Sequence, residues 1–389
     1  MAAHRLVRGA FAALLVAAMP GLLVAQSSIF GVRGLGHPGR PLTPAARATG
    51  GSFAPFDAES DGNPAALGQM RALTGNFVMA PTWRHWESPA GDASLRESRF
   101  PLMSVGGPVP GTRVGLGVAF GSYADRDFRL SSTDTILVRG VPVGVNDTLT
   151  SLGGINEIRF GAGMVLGKRT LVGAAAYWIT GSSRMEARRS FADTSFISVR
   201  QSAELSYQGF GLSLGLIHEL RNNLRVSFYA RSDGNVDVDR DSTGVTSIDL
   251  PYTLGAGVQF RPHRRLTLAG AGVYRTWSGA NSDFQAQGGA GADNTLDLSF
   301  GGEWVRNTRR STSLPLRFGV RYAQLPFPLD AGDQPHEVTL SLGTGLRFAQ
   351  ERAGFDVSLE QAFRSAAGAY KERAFSLVLG LSVRPYGSR

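Results

Sequence analysis

From about residue 73 onward, apolar side chains recur at every second position, separated by small or polar residues. Leu296-Leu298-Phe300, Leu314-Leu316-Phe318-Val320-Tyr322, Val338-Leu340-Leu342 and Phe375-Leu377-Leu379-Leu381-Val383 carry the pattern, with Asp297, Ser299, Gly301, Arg317, Gly319, Arg321, Ser341, Gly343, Ser376 and Ser382 between them. A period of two places one residue set on each face of a β-strand. Fourteen strands are predicted: Thr74–Arg84, Ser98–Gly107, Thr112–Arg129, Ile155–Gly167, Thr170–Arg184, Val199–Leu220, Leu224–Asp233, Ile248–Arg261, Leu266–Gly279, Thr295–Arg306, Leu314–Gln324, Glu337–Phe348, Gly354–Arg364 and Arg373–Pro385.

The connections alternate. Pro108–Gly111, Lys168-Arg169, Arg221–Asn223, Pro262–Arg264 and Gln350–Ala353 are tight; Asp125–Asn156, Met185–Ser198, Gly234–Ser247 and Ala280–Asn294 are long and polar. Short turns at one end and long loops at the other predict an all-β, transmembrane, antiparallel up-and-down barrel of about 14 strands. A soluble exported β-sandwich has no reason to alternate in this way. By parity Val114, Leu116, Val118 and Phe120 face lipid, and Gly115, Gly117, Ala119 and Gly121 face the lumen. The same rule sends Glu157, Arg159, Arg225, Arg231, Gln259, Glu303, Arg317, Arg321, Arg347, Asp356, Glu360 and Arg364 inward. Tyr177, Trp178, Tyr252, Tyr274, Trp277, Trp304 and Tyr322 fall near strand ends and suggest an interfacial girdle.

The ends and the composition sharpen this picture. Residues 1–25 read as a signal peptide, with Arg5 and Arg8 before an apolar run and small residues before Gln26. No later run is long enough for a transmembrane helix, so a membrane location requires a closed barrel, and the cell outer membrane is the expected place. There are no Cys, and the 50 Gly suit strand walls that approach another segment closely. The net charge of +9 is almost wholly arginine, and no basic run interleaved with aromatics indicates nucleic acid.

Residues 26–72 do not alternate, and are expected to form a partly helical plug inside the barrel formed by residues 73–389. The run Arg47-Ala48-Thr49-Gly50-Gly51-Ser52-Phe53-Ala54, an acidic residue, and then Asn63-Pro64-Ala65 resembles the N-terminal hatch of FadL-type outer-membrane channels, PorV-like relatives included. The resemblance implies a plugged 14-stranded barrel that passes long-chain fatty acids or hydrocarbons by diffusion, or, on the PorV-like branch, a secretion partner. It nominates Phe53, Phe56, Asn63, Pro64 and Ala65 as plug or gate. Lumen facing adds Arg159, Arg317 and Arg321 as candidate partners for a ligand's carboxylate. The chain departs from the family's pattern at Pro55-Phe56, and in ending with Tyr386-Gly387-Ser388-Arg389 rather than on an aromatic.

Enzyme chemistry is not expected. Gly211-Leu212-Ser213-Leu214-Gly215 has the form of a hydrolase elbow, but lies inside an alternating strand, with His218 on the opposite face from Ser213. Residues 163–170 have the look of a phosphate loop but fail its spacing. Asp233, Asn235, Asp237, Asp239 and Asp241 form an acidic run without EF-hand spacing, and the six His show no ligand pattern. No cofactor or metal is expected. The anticipated partners are outer-membrane lipid and lipopolysaccharide, a hydrophobic small molecule and the barrel-assembly machinery.

Overall fold

The computed structural model describes residues 28–385 apart from 61, 90, 194, 242, 287–290, 308–312, 330–332 and 367. The expected signal peptide and the terminal Tyr386 lie outside the described residues. In chain order the strands are β1 (His37–Pro38), β2 (Thr74–Ser88), β3 (Gly91–Pro108), β4 (Val114–Asp125), β5 (Phe128–Val138), β6 (Val141–Leu166), β7 (Thr170–Phe191), β8 (Val199–Arg221) and β9 (Leu224–Ser232). They continue with β10 (Asn235–Arg240), β11 (Thr243–Asp249), β12 (Tyr252–His263), β13 (Leu266–Arg275), β14 (Thr295–Val305), β15 (Pro315–Gln324), β16 (His336–Phe348), β17 (Ala353–Ala366) and β18 (Tyr370–Val383).

Fourteen of these form one closed antiparallel barrel. Each wall strand pairs with the next wall strand in the chain, and β18 returns to β2 from Lys371↔Glu87 to Val383↔Gly75, which closes the barrel. The remaining four are outside the wall: β1 belongs to the N-terminal segment, β5 pairs with the outer part of β6, and β10 and β11 form a hairpin beside β8.

Facing follows the two-residue period. On β4, Leu116 and Val118 are exposed while Gly115, Gly117 and Ala119 are buried. On β8, Phe210, Leu212 and Leu214 are 66%, 67% and 68% exposed. Outward apolar residues of this kind recur around the barrel, a surface far larger than a soluble protein presents to water. Hydrocarbon covers it, and the chain is an outer-membrane barrel. The aromatic girdle needs one correction. Trp178, Tyr252, Tyr274, Trp304 and Tyr322 face outward, but Tyr177 is buried in the lumen and Trp277 under the long loops. Tyr177 has the inward parity of its neighbour Ala175, and Trp277 lies beyond the end of β13, where parity no longer applies.

The long connections also differ from expectation. Residues 125–156, read as a loop, contain β5 and the first half of β6; the segment 234–247 contains β10 and most of β11; and residues 85–88 and 91–97 extend β2 and β3. β5 is exposed on both faces over residues 129–135, and β10 and β11 turn only Val236, Val238 and Ile248 inward, so these stretches lack the outward apolar alternation that marks the membrane-spanning parts.

Over the mouth at this end, Leu35, Ile155, Ile179, Val236, Ile248, Trp277, Phe284 and Phe327 pack into one apolar cluster. Phe327 meets Trp277 edge-on at 5.1 Å and Phe284 at 5.2 Å.

Candidate functional site: a plugged lumen and a parted wall

The described residues from 28 to 70 thread through the lumen. Thr43 caps the short helix Pro44–Ala48, its hydroxyl accepting from Ala46 N at 3.2 Å and donating to Asp57 Oδ2 at 2.6 Å. Ser60 donates to the same Asp57 oxygen at 2.6 Å, which ties the two ends of the hatch loop together. Asn63 caps the 3-10 turn Pro64–Gln69: its Oδ1 accepts from Ala65 N at 2.9 Å. Its Nδ2 meets Ser227 Oγ at 2.8 Å, Phe228 O at 3.1 Å and Leu216 O at 3.2 Å. Thus one amide side chain fastens the hatch to both β8 and β9.

Wall glycines make room for this thread. An added Cβ on Gly215 would lie 1.8 Å from Asn63 Oδ1, and one on Gly173 would lie 2.5 Å from Ala65 N. On the far wall the same construction on Gly319 comes within 2.1 Å of the Thr49 carbonyl carbon. The plug therefore rests on backbone on both sides.

The hatch residues nominated from the sequence lie together in the lumen. Asn63, Pro64 and Ala65 are buried, Phe56 is buried against Ala65, Ala66 and Ile217, and Phe53 is half-buried. Arg225 lies over the Phe56 ring at 5.5 Å. Among the arginines, Arg159 is 2% exposed and donates through Nη1 to Ser60 O at 3.2 Å, so it holds the plug. Arg317 bonds Glu303 at 2.8 Å and Asp356 at 2.7 Å, while Arg321 bonds Asp297 at 2.7 Å and also reaches Glu337. The wall's own acids already take these two guanidinium groups.

These pairs belong to a larger network that sequence facing did not reveal. Arg47 and Arg40 of the plug both reach Glu360. Arg364 joins Glu337 to Glu372, Arg84 joins Glu372 to Glu97, and Ser28 donates to Glu372 at 2.8 Å. The buried Glu337, Glu360 and Glu372 each meet more than one donor, as buried ions require. Ser213 donates to Tyr177 Oη at 3.3 Å, and His218 pairs with Thr170. Among the described residues no group of three or more His, Asp or Glu could hold a metal ion.

Among the described residues the wall pairing is interrupted between β3 and β4. β3 and β4 pair only from Leu102↔Gly121 to Pro108↔Gly115. Beyond Leu102, β3 continues beside β2, while the Ala124-Asp125 end of β4 pairs with β1 of the plug. A bulge where β2 passes from Val78 to Ala80 bends this corner, and Pro81 and Pro101, which lack an N–H, flank it. Behind the parting, Val78, Ala80, Leu102, Ala119 and Val378 form a buried apolar patch. Across it, Arg99 of β3 binds Asp125 at the end of β4, and Asp127 at 2.9 Å.

A closed barrel, a lipid-facing belt and a lumen filled by the N-terminal segment define a plugged outer-membrane barrel of the FadL-type fold. A FadL homologue of Pseudomonas aeruginosa superposes with a TM-score of 0.62 at 12% identity, over 90% of this chain and 100% of that one. The toluene transporter TodX of Pseudomonas putida gives 0.57 at 13%, over 89% and 99%. The monoaromatic hydrocarbon channel CymD gives 0.57 at 16%, over 90% and 98%. The chain itself belongs to the BamG family, whose model matches residues 15–238, more than half its length. No curated protein sequence matches it.

Proposed function

We propose that this barrel admits hydrophobic small molecules, such as long-chain fatty acids or hydrocarbons, by passive diffusion through a displaceable plug. One observation carries the reading: the only break in wall pairing that an apolar lumen patch backs lies, among the described residues, between β3 and β4, where β1 of the plug covers it. A greasy solute that parts the apolar cluster at the mouth replaces like contacts with like, whereas a polar solute leaves buried groups unpaired. From there, displacement of the hatch around Phe53, Phe56, Asn63, Pro64 and Ala65 leads to the periplasm, and displacement of β1 leads sideways into lipid. The FadL-type neighbours support this reading through the fold they share. Because Arg317 and Arg321 already face wall acids, a ligand's carboxylate would gain their charge only by exchanging partners; Arg159 holds Ser60.

A strain lacking the protein is expected to take up labelled fatty acids or alkanes more slowly, and re-expression to restore the rate. Normal uptake without the protein would overturn the reading. A PorV-like secretion partner is the second reading, and the packed seal over the mouth favours it, since a membrane platform needs no open path. Co-purification of envelope proteins, with no lipid or hydrocarbon retained, would select it.

A further inference from the structure

The short-turn end of the barrel carries an unbalanced charge. Inside that mouth, below the plug, is a cavity of about 590 Å3. Arg71 at the plug's exit, Arg113 between β3 and β4, Lys168 and Arg169 between β6 and β7, and Arg225 and Arg261 of β9 and β12 line it, against a single acid, Glu219. Arg71, Arg113, Lys168, Arg169 and Arg261 are exposed and make no ion pair or side-chain hydrogen bond among the described residues. Arg317, Arg321 and Arg364 in the lumen, by contrast, each pair with wall acids.

We propose that this vestibule receives an acidic, extended segment of a periplasmic protein. The position is the first argument. Ile217, Leu171 and Gln259 share the lining, so the cations line the interior of the mouth on the side of β3 to β12, where lipid head groups outside the barrel do not reach. Extent is the second. The cationic surface runs on from the cavity over the turn tips at Arg221, Arg264 and Arg265, all exposed, beyond what one small anion would span. The third is complementarity: unpaired cations around a water-filled recess steer and hold a chain of carboxylates, with marked dependence on salt. The proposal stands apart from the uptake reading, because it concerns the outer rim of the exit and not what crosses the lumen.

The test uses the full-length barrel in neutral detergent with a fluorescent oligoglutamate decamer, followed by anisotropy. Saturable binding is expected at low salt, weakening steadily as salt rises, with no binding of an oligolysine control. The combined exposed-turn variant Lys168→Gln, Arg169→Gln and Arg261→Gln, shown folded by unchanged heat-modifiable migration, should bind about tenfold more weakly or worse. Three results would overturn the proposal: no binding by the wild-type protein, equal binding by the variant, or displacement of the peptide by inorganic phosphate at matching charge concentration. The last would reassign the vestibule to a small anion.

Discussion

Asn63 shows how much of the plug's seating rests on single side chains. Its amide reaches β8 and β9 together, and its oxygen caps the turn that follows. Asn63→Ala leaves the buried Ala65 N–H without its acceptor, at a cost of about 1–3 kcal/mol, and removes the amide's bonds to both strands. The expected readout is faster protease cleavage between residues 56 and 73 with the barrel intact. Gly215→Ala should have the same effect, because its methyl would occupy the place of Asn63 Oδ1. Glu360→Gln is expected to be more severe, since both plug arginines, Arg40 and Arg47, then lose their shared carboxylate. Removing one partner of a buried pair costs about 3–5 kcal/mol, and a lowered thermal transition of the plug would register it. The motif singled out Asn63, Pro64 and Ala65, which the fold buries against β7, β8 and β9. The ion pairs of Arg317 and Arg321 were not legible in the sequence: facing puts a charge in the lumen, but strand register and barrel shear choose its partner.

Among the elements, β1 has the smallest hold on the wall and the most exposed role. It pairs with β4 through His37↔Asp125 and Pro38↔Ala124. Burial, and then Arg364, push the His37 pKa well below its ordinary 6.5; Arg84 and Arg321 act the same way, and the attraction of Glu337 does not offset them. A seated His37 is therefore neutral, while a released one takes a proton more readily. Its contribution is complete above 6.5 and is lost as pH falls below that toward the seated value. Protease access to residues 28–43 should accordingly rise on acidification, and His37→Asn should flatten the profile. The native chain has no Cys, so Pro38→Cys with Ala124→Cys gives a clean lock across facing positions. Under the uptake reading, oxidation should slow hydrocarbon passage and reduction restore it. At this scale the sequence was readable where strands meet lipid, as in Leu116 and Val118. It was opaque where they leave it, as in Phe128–Val138, whose Ser131, Ser132, Thr133 and Thr135 face water on both sides.

For the whole molecule, the apolar belt predicts that the protein leaves membranes only with detergent and migrates differently in gels before and after boiling. Release into a soluble periplasmic extract would contradict the barrel's setting. Closure and strand number were legible because tight turns such as Lys168-Arg169 alternate with long connections along the chain. The parting between β3 and β4 was not, since nothing local marks where two neighbouring strands stop pairing.

The ring of glycines beneath the plug has a consequence for assembly order. With carbonyls and ring carbons packed into spaces too small for a methyl group, the N-terminal thread has no clearance to slide into a finished cylinder. It must already lie across the growing sheet when the seam between β18 and β2 zips shut, with Ser28 waiting for Glu372 on the final strand. A barrel refolded from residues 73 onward should therefore fail to capture the severed N-terminal peptide afterwards, yet retain it when both are mixed before folding begins.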